Sequence, residues 1–363
     1  MLASSINQFR LGLFLIVASM AICLTATAQA EQGGPFAAVS PEANLARYNP
    51  KVHATGTFKI RGSDTMYPVL SRLVTEFQRR QPNVTIEVKP FGSNPAIEEF
   101  LQPPLHKTGK VMLSEEVPKQ FTLTATSREL FDTEIKEFVS QHGYEPIAVP
   151  VAVDAVAVYV HKDNPIAGLT LEQVDAMFST TRLRGHKTAI TQWGQLELPD
   201  TWNNAPIQLY GRDRKSGTRS FFKDHGLGGG EFVPSLHENP GAASVILSLS
   251  RDQLGVGYSG LGLQGSMVRA VPLAETAGMP FVPPSSATVA DQTYPLRRVL
   301  YLYVNKSPKA PLPPAAQEFL AYIMSHEGQE AVIKAGFFPL PLNQVQKNAV
   351  ALGGSPEAAP LMR

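Results

Sequence analysis

Cysteine is almost missing from this chain. The single one, Cys23, lies inside the apolar stretch "LGLFLIVASMAICL" near the start, so beyond it there is no disulfide, thiolate metal site or cysteine nucleophile. An excess of either charge is missing too. Of the 32 Lys and Arg residues, only Arg10 falls in the first thirty positions, which hold no acid, leaving 31 basic against 31 acidic residues. A surface for nucleic acid needs a basic excess, so no nucleic acid is expected as a partner, and any anion must be held by a local site. The eight His residues (53, 106, 142, 161, 186, 225, 237 and 326) never stand four apart, so neither a metal nor any other cofactor is expected. Trp193 and Trp202 are the only tryptophans and read as packing residues.

The first thirty residues read as an export signal. Arg10 supplies the positive start, the apolar stretch follows, and "AQA" at 28–30 is a small-residue cleavage site. Ile22 before Cys23 is not the small residue that lipidation requires. Cleavage after Ala30 and a periplasmic location are expected. The alternative is a retained anchor, because the apolar stretch is long for a signal. Intact mass separates the two: secreted protein is expected to begin at Glu31, and a species retaining Phe14 would establish the anchor.

Residues 31–54 lack periodicity and read as a flexible lead-in. After them strands and helices alternate. "TFKI", "VTIEVKPF" and "FTLTA" read as strands, and "VLSRLVTEF" and "AIEEFL" as helices. A poorly patterned Pro-rich insert covers 102–119, and a helix over 127–141 is expected to start at a capping box of Thr126 and Glu129. "PIAVPVAVDAVAVYVHKD" is longer than one strand needs, and "RRVLYLYVN" is a second long strand. The pattern predicts an α/β fold of two lobes. Lobe I covers 55–150 and 279–340, lobe II covers 151–278, two long strands cross between them, and 341–363 is a low-complexity tail. Asp154, inside "VAVDAVAV", has either a hinge or hydrogen-bonding role, or a role in a site.

Three strand-to-helix junctions carry Gly together with hydroxyl residues: "RGSDTMYP", "FGSNPAIEE" and "KSGTRSFF". A helix start has N–H groups without intrahelical partners and the positive end of the dipole, so it suits an anion. Taken singly, each junction reads more readily as an ordinary cap. The third differs, because "GRDRKSGTRSFF" places four basic side chains between Arg212 and Arg219. Arg219 in the first helical turn opposes the dipole. An anion there would resolve the conflict, gripped by the two-pronged guanidinium of Arg212. No enzyme is expected. Ser216-Gly217 stands where a nucleotide P-loop needs Gly-Lys, and "GYSGLG" misses the Gly-x-Ser-x-Gly elbow by one position.

With these segments in order, from about Thr57 to Leu340, the chain resembles the periplasmic phosphate-binding proteins of bacterial phosphate ABC transporters, which have the type II solute-binding fold. "HKDNPIAGLTLEQVDAMF", "WGQL", "GVGYSG" and "EGQEAVIKAGFFPL" add to the match. The resemblance implies a monomer that binds inorganic phosphate between two lobes and docks on an inner-membrane ABC permease. It implies ligands at Thr65, Met66 (through its N–H), Ser93, Arg212, Ser216, Gly217 and Thr218. Ser63, Asp64, Ser127 and Arg128 complete the candidate set. One departure matters. Well-known family members have an Asp after the Ser that ends the third strand, accepting the proton of hydrogen phosphate, and here that position is Arg128, as in several relatives. Either Asp64 is then the acceptor, with a helix-capping role as its alternative, or selectivity against sulfate is weaker. Another tetrahedral oxyanion such as sulfate, or a periplasmic phosphatase activity, are the competing functions.

Overall fold

The computed structural model describes residues 39–103, 121–263 and 265–351. The export signal and the 104–119 part of the Pro-rich insert lie outside the described residues. The chain opens with β1 (Gly56–Gly62), α1 (Tyr67–Gln78), β2 (Val84–Pro90), α2 (Ser93–Leu101), β3 (Thr122–Thr126) and α3 (Asp132–His142). In α1 the buried set is Val69, Leu70, Leu73, Val74 and Phe77, the helical stripe that the sequence spacing predicts. The long β4 (Ile147–His161) follows, then β5 (Leu169–Thr170), α4 (Leu171–Phe178), β6 (Gln208–Arg212) and α5 (Gly217–Phe221). Next come β7 (His237–Asn239), α6 (Ala242–Leu249), β8 (Gly255–Gly260), β9 (Val268–Ala270) and β10 (Leu273–Ala274). The chain returns through α7 (Ser286–Ala290) and β11 (Arg297–Val304), and ends in α8 (Pro314–Ile323), α9 (His326–Lys334) and α10 (Leu342–Ala351).

The main sheet has the order β2-β1-β3-β11-β4-β8-β6-β7, with β9 added on β4. β1, β2 and β3 are parallel, and so are β6, β7 and β8. β4 joins the two groups. Its stretch Ile147–Ala155 pairs antiparallel with β11, and Val156–Val160 pairs antiparallel with β8. From Val149 onward every residue of β4 is buried, because neighbouring elements cover both faces; this explains an apolar run without alternation. Pro150 pairs with Tyr301 directly beside a register shift between Leu300 and Tyr301, the kind of irregularity at which a strand accommodates proline.

Three segments differ from expectation. The described part of the lead-in, 39–54, is laid against the body. Tyr48 Oη donates to Glu318 at 2.7 Å, Tyr48 N–H donates to Glu327 at 2.8 Å, and His326 N–H donates to Ala46 O at 2.8 Å. Its partners lie some 270 positions away in sequence, out of reach of any local pattern. The helix expected over 127–141 begins at Asp132 instead. The Glu134 carboxylate accepts the Phe131 N–H, while Thr126 Oγ1 donates to Arg128 O and Leu130 N–H donates to Tyr303 Oη. Those bonds hold 127–131 as a turn. The first part of the expected tail is helix α10, with Val345 and Asn348 buried. No helix among the described residues is long and apolar enough to cross a membrane.

Candidate anion-binding site

Parallel strands deliver their carboxyl ends to one edge, the usual position for ligands in open α/β sheets. Here β1 ends in Ser63–Met66, β2 in Gly92–Ser93, β3 in Ser127 and β6 in Arg212–Gly217. Gly62 makes the first of these turns possible: its φ is 136°, and a Cβ there would strike Ala125 O. Only glycine suits that combination.

The turns converge. Thr65 Oγ1 lies 3.1 Å from Thr218 Oγ1, and Ser93 Oγ lies 3.2 Å from Ser127 Oγ. Arg212 reaches Thr65 Oγ1 and Asp64 Oδ2, both at 3.5 Å. Backbone and side chain of Asn94 tie the second turn to the fourth, on Lys215 O at 3.1 Å and Arg214 O at 2.8 Å. Thr65, Ser93 and Ser127 thus face Arg212, Gly217 and Thr218, and all but Asp64 among the expected residues are buried. Beside them a cleft of about 310 Å³ is lined by Asp64, Thr65, Tyr67, Pro240, Gly260 and Phe337 among others. A larger hollow of about 640 Å³ lies apart, edged by Glu172, Arg184, His186 and Lys187; its charges are mixed and no set of hydroxyls converges there.

Arg212 is the centre of the arrangement. Its side chain is 1% exposed, and its Nε is buried without a hydrogen-bond partner among the described residues. Its two Nη contacts are at the outer limit of hydrogen-bond distance. Burial pushes the guanidinium below its ordinary pKa, opposed by Asp64 and Asp213. Tyr258 Oη accepts the Arg212 N–H at 3.3 Å, and the Tyr258 ring stacks on Phe222 at 3.9 Å, so the strand end rests on the aromatic core. A buried cation with so many unused donors is costly unless an anion answers it.

Other expected residues take different posts. Arg128 sits at the rim of the second turn: both Nη atoms meet Glu134 at 2.7 Å, Nη2 also donates to Asn94 Oδ1 at 3.2 Å, and its ring neighbour is Phe131 at 4.1 Å. The carboxylate three residues into α3 thus holds its guanidinium. Ser216 Oγ accepts the Arg219 N–H, and Ser63 Oγ accepts the Met66 N–H, each at 3.4 Å; both act as turn caps. Arg219, whose charge opposes the α5 dipole, is answered by Glu238 at 3.1 Å and donates to Arg212 O at 2.8 Å. Asp64 is about one-third exposed, and burial raises its pKa against the pull of Arg212. It does not cap α1, whose N-cap is Met66 without any side-chain cap bond.

Arg298 was not singled out from the sequence. Its Nε and Nη2 donate to Asp154 Oδ2 at 2.9 and 2.7 Å, and Nη1 donates to Ser127 O and to Thr218 Oγ1, both at 2.9 Å. The signal was there: an acid in an apolar strand demands a buried partner, and the register sets Arg298 opposite Asp154. The hydrogen-bonding reading of Asp154 therefore holds.

Residues 49–327 match the family model described as the PBP superfamily domain. The chain is 41% identical over 317 residues to the phosphate-binding protein PstS of Pseudomonas aeruginosa, spanning 87% of this chain and 93% of that protein. It is similar in structure to a substrate-binding protein from Clostridium perfringens with bound phosphate (TM-score 0.61, 22% identity, 79% of this chain and 100% of that one). It is also similar to an ABC-type phosphate transport receptor from Vibrio cholerae (TM-score 0.57, 21% identity, 78% of this chain and 100% of that one). At such identities these structures speak to the fold alone, which is α/β and two-lobed, as the sequence pattern predicts. By sequence and by fold, the chain belongs to the PBP superfamily and, within it, to the family of the phosphate-binding protein PstS.

Proposed function

We propose that this chain is a receptor that captures inorganic phosphate between two lobes and delivers it to an inner-membrane ABC permease from the periplasm. The observation that carries the reading is Arg212, a buried guanidinium with unused donors facing hydroxyls of Thr65, Ser93, Ser127 and Thr218. Charge-assisted hydrogen bonds from such a set contribute roughly 1.5–3 kcal/mol each. The lobes are about 55–150 with 279–340, and about 151–278, with the first boundary shifted to the change of partner along β4 between Ala155 and Val156, which is the pivot. The protein acts as a monomer and performs no chemistry on its ligand; on the second point its relatives agree, being named as phosphate-binding proteins. Calorimetric titration of anion-stripped protein with phosphate, sulfate and arsenate tests this: phosphate is expected to bind most tightly. Preference for sulfate would make the chain a sulfate-type receptor, and turnover of a chromogenic phosphate ester would make it a phosphatase.

With Arg128 held by Glu134, Asp64 is the acceptor for the proton of hydrogen phosphate. Sulfate lacks that proton and is repelled by a carboxylate. Asp64→Asn keeps the size and removes the charge, so the phosphate-to-sulfate affinity ratio is expected to fall by about tenfold or more, the worth of one hydrogen bond to a charged group. An unchanged ratio would transfer the acceptor role to a backbone carbonyl or a hydroxyl.

A further inference from the structure

Arg298 has no assigned part in anion capture, yet it touches both sides of the site from behind. We propose that Arg298 is a positioning residue that fixes the Thr218 hydroxyl as a donor toward the bound anion and makes this depend on closure of the cleft. The inference rests on the anion-receptor reading above and adds a residue to it.

The direction of the bond carries the argument. Arginine has only N–H donors and does not lose its proton in a protein, so in the 2.9 Å contact between Arg298 Nη1 and Thr218 Oγ1 the hydroxyl must accept. Its hydrogen then points away from Arg298. The other polar neighbour of that oxygen is Thr65 Oγ1 at 3.1 Å, on the far side of the cleft, where Arg212 also reaches. The Thr218 hydrogen is therefore confined to the side away from Arg298, which holds Thr65 Oγ1 and the space in which the anion's oxygens are expected. A free threonine hydroxyl rotates and can present either of its two lone pairs instead, which would repel an anion; Arg298 occupies one of them and so biases the hydrogen toward the cleft.

The geometry of the fork explains why the residue is arginine. Nε and Nη2 are both committed to Asp154 Oδ2, which orients the plane and leaves Nη1 aimed at Ser127 O and Thr218 Oγ1. Lysine, a single nitrogen on a flexible stem, could neutralise Asp154 but could not also hold that direction. The bond also spans the two groups of strands. Asp154 and Arg298 stand on the neighbouring strands β4 and β11, Ser127 directly follows β3 beside β11, and Thr218 follows β6. The contact with Thr218 exists only while the two groups are together, so closure and hydroxyl orientation are formed in one step.

The competing explanation is that Arg298 merely neutralises Asp154. A double-mutant cycle on the full mature chain separates the two. Phosphate dissociation constants are measured by calorimetry for wild type, Arg298→Lys, Thr218→Val and the double variant, with thermal melting of the anion-free proteins alongside. Arg298→Lys is expected to weaken binding about tenfold, comparable to losing one charge-assisted bond, and to cost nothing further once Thr218 is valine. Equal losses in both backgrounds, or a lowered melting temperature with unchanged affinity, would overturn the proposal. If Arg298→Lys does not fold, the neutral pair Arg298→Gln with Asp154→Asn takes its place in the cycle with the same expectation. If wild type binds sulfate or arsenate but not phosphate, the phosphate reading fails and the cycle is read with the anion that binds. If wild type binds none of the three, both proposals fall.

Discussion

Arg212→Ala is expected to weaken phosphate binding by roughly 2–5 kcal/mol, the usual cost of truncating one partner of a buried, hydrogen-bonded charge pair. At about 1.4 kcal/mol per factor of ten, that is a loss of tens- to thousands-fold. The side chain is 1% exposed, so water does not replace its donors for the anion. The variant has a second expected signature. In the anion-free protein, Arg212 is a buried cation whose nearest carboxylate oxygen is 3.5 Å away and partly exposed. Removing it is expected to leave melting temperature unchanged or raised, because the desolvation cost of the charge disappears with it. Lys215 is exposed, and Lys215→Ala is expected to cost far less affinity. Equal losses at both positions would mean that the basic run acts through its general field.

Gly217→Ala is the second large effect. A Cβ at Gly217 would lie 2.6 Å from Ser93 Oγ, 2.7 Å from Ser93 Cβ and 2.8 Å from Ser127 Oγ. Those atoms belong to the opposite turns, and the Ser93 Cβ is too close to its own backbone to swing aside. The turns must separate, and overpacking of this kind costs about 1–3 kcal/mol, or roughly five- to a hundred-fold in affinity. Helix propensity does not oppose the change, since Ala exceeds Gly within a helix by about 1 kcal/mol. Weaker phosphate binding with an unreduced melting temperature of the anion-free protein is therefore expected. Small-angle scattering with saturating phosphate is expected to give a larger radius of gyration than wild type. An unchanged affinity would mean that Gly217 does not sit at the closing surface.

Much of the site was legible because its chemistry is local. A glycine beside hydroxyl residues at a strand-to-helix junction marks a turn with exposed N–H groups wherever it occurs, and "GRDRKSGTRSFF" marks Arg212 by its place at a strand end. The stripe of α1 was legible for the same reason: Val69 to Phe77 are buried together through a spacing set by helix geometry. Arg128 shows the limit. Its motif position suggested a ligand, but Glu134, six residues on, offers two oxygens at 2.7 Å. Which of two nearby partners a guanidinium takes depends on where the turn points it.

By itself, then, the amino-acid sequence determined the alternation of strands and helices, the turns that end β1, β2 and β6, and the balance of charge that leaves anion capture to a local site. Each depends on neighbours within a few residues, where backbone propensity and side-chain period act. The tertiary structure decided what joins positions far apart in the chain. Asp154 and Arg298 meet across 144 residues because the β4–β11 register places them opposite one another. Tyr48 finds Glu318 across 270, turning an unpatterned lead-in into part of the body. Burial makes such pairs compulsory, since a charge or hydroxyl taken out of water must find a partner, and only the folded arrangement of strands determines which partner is within reach.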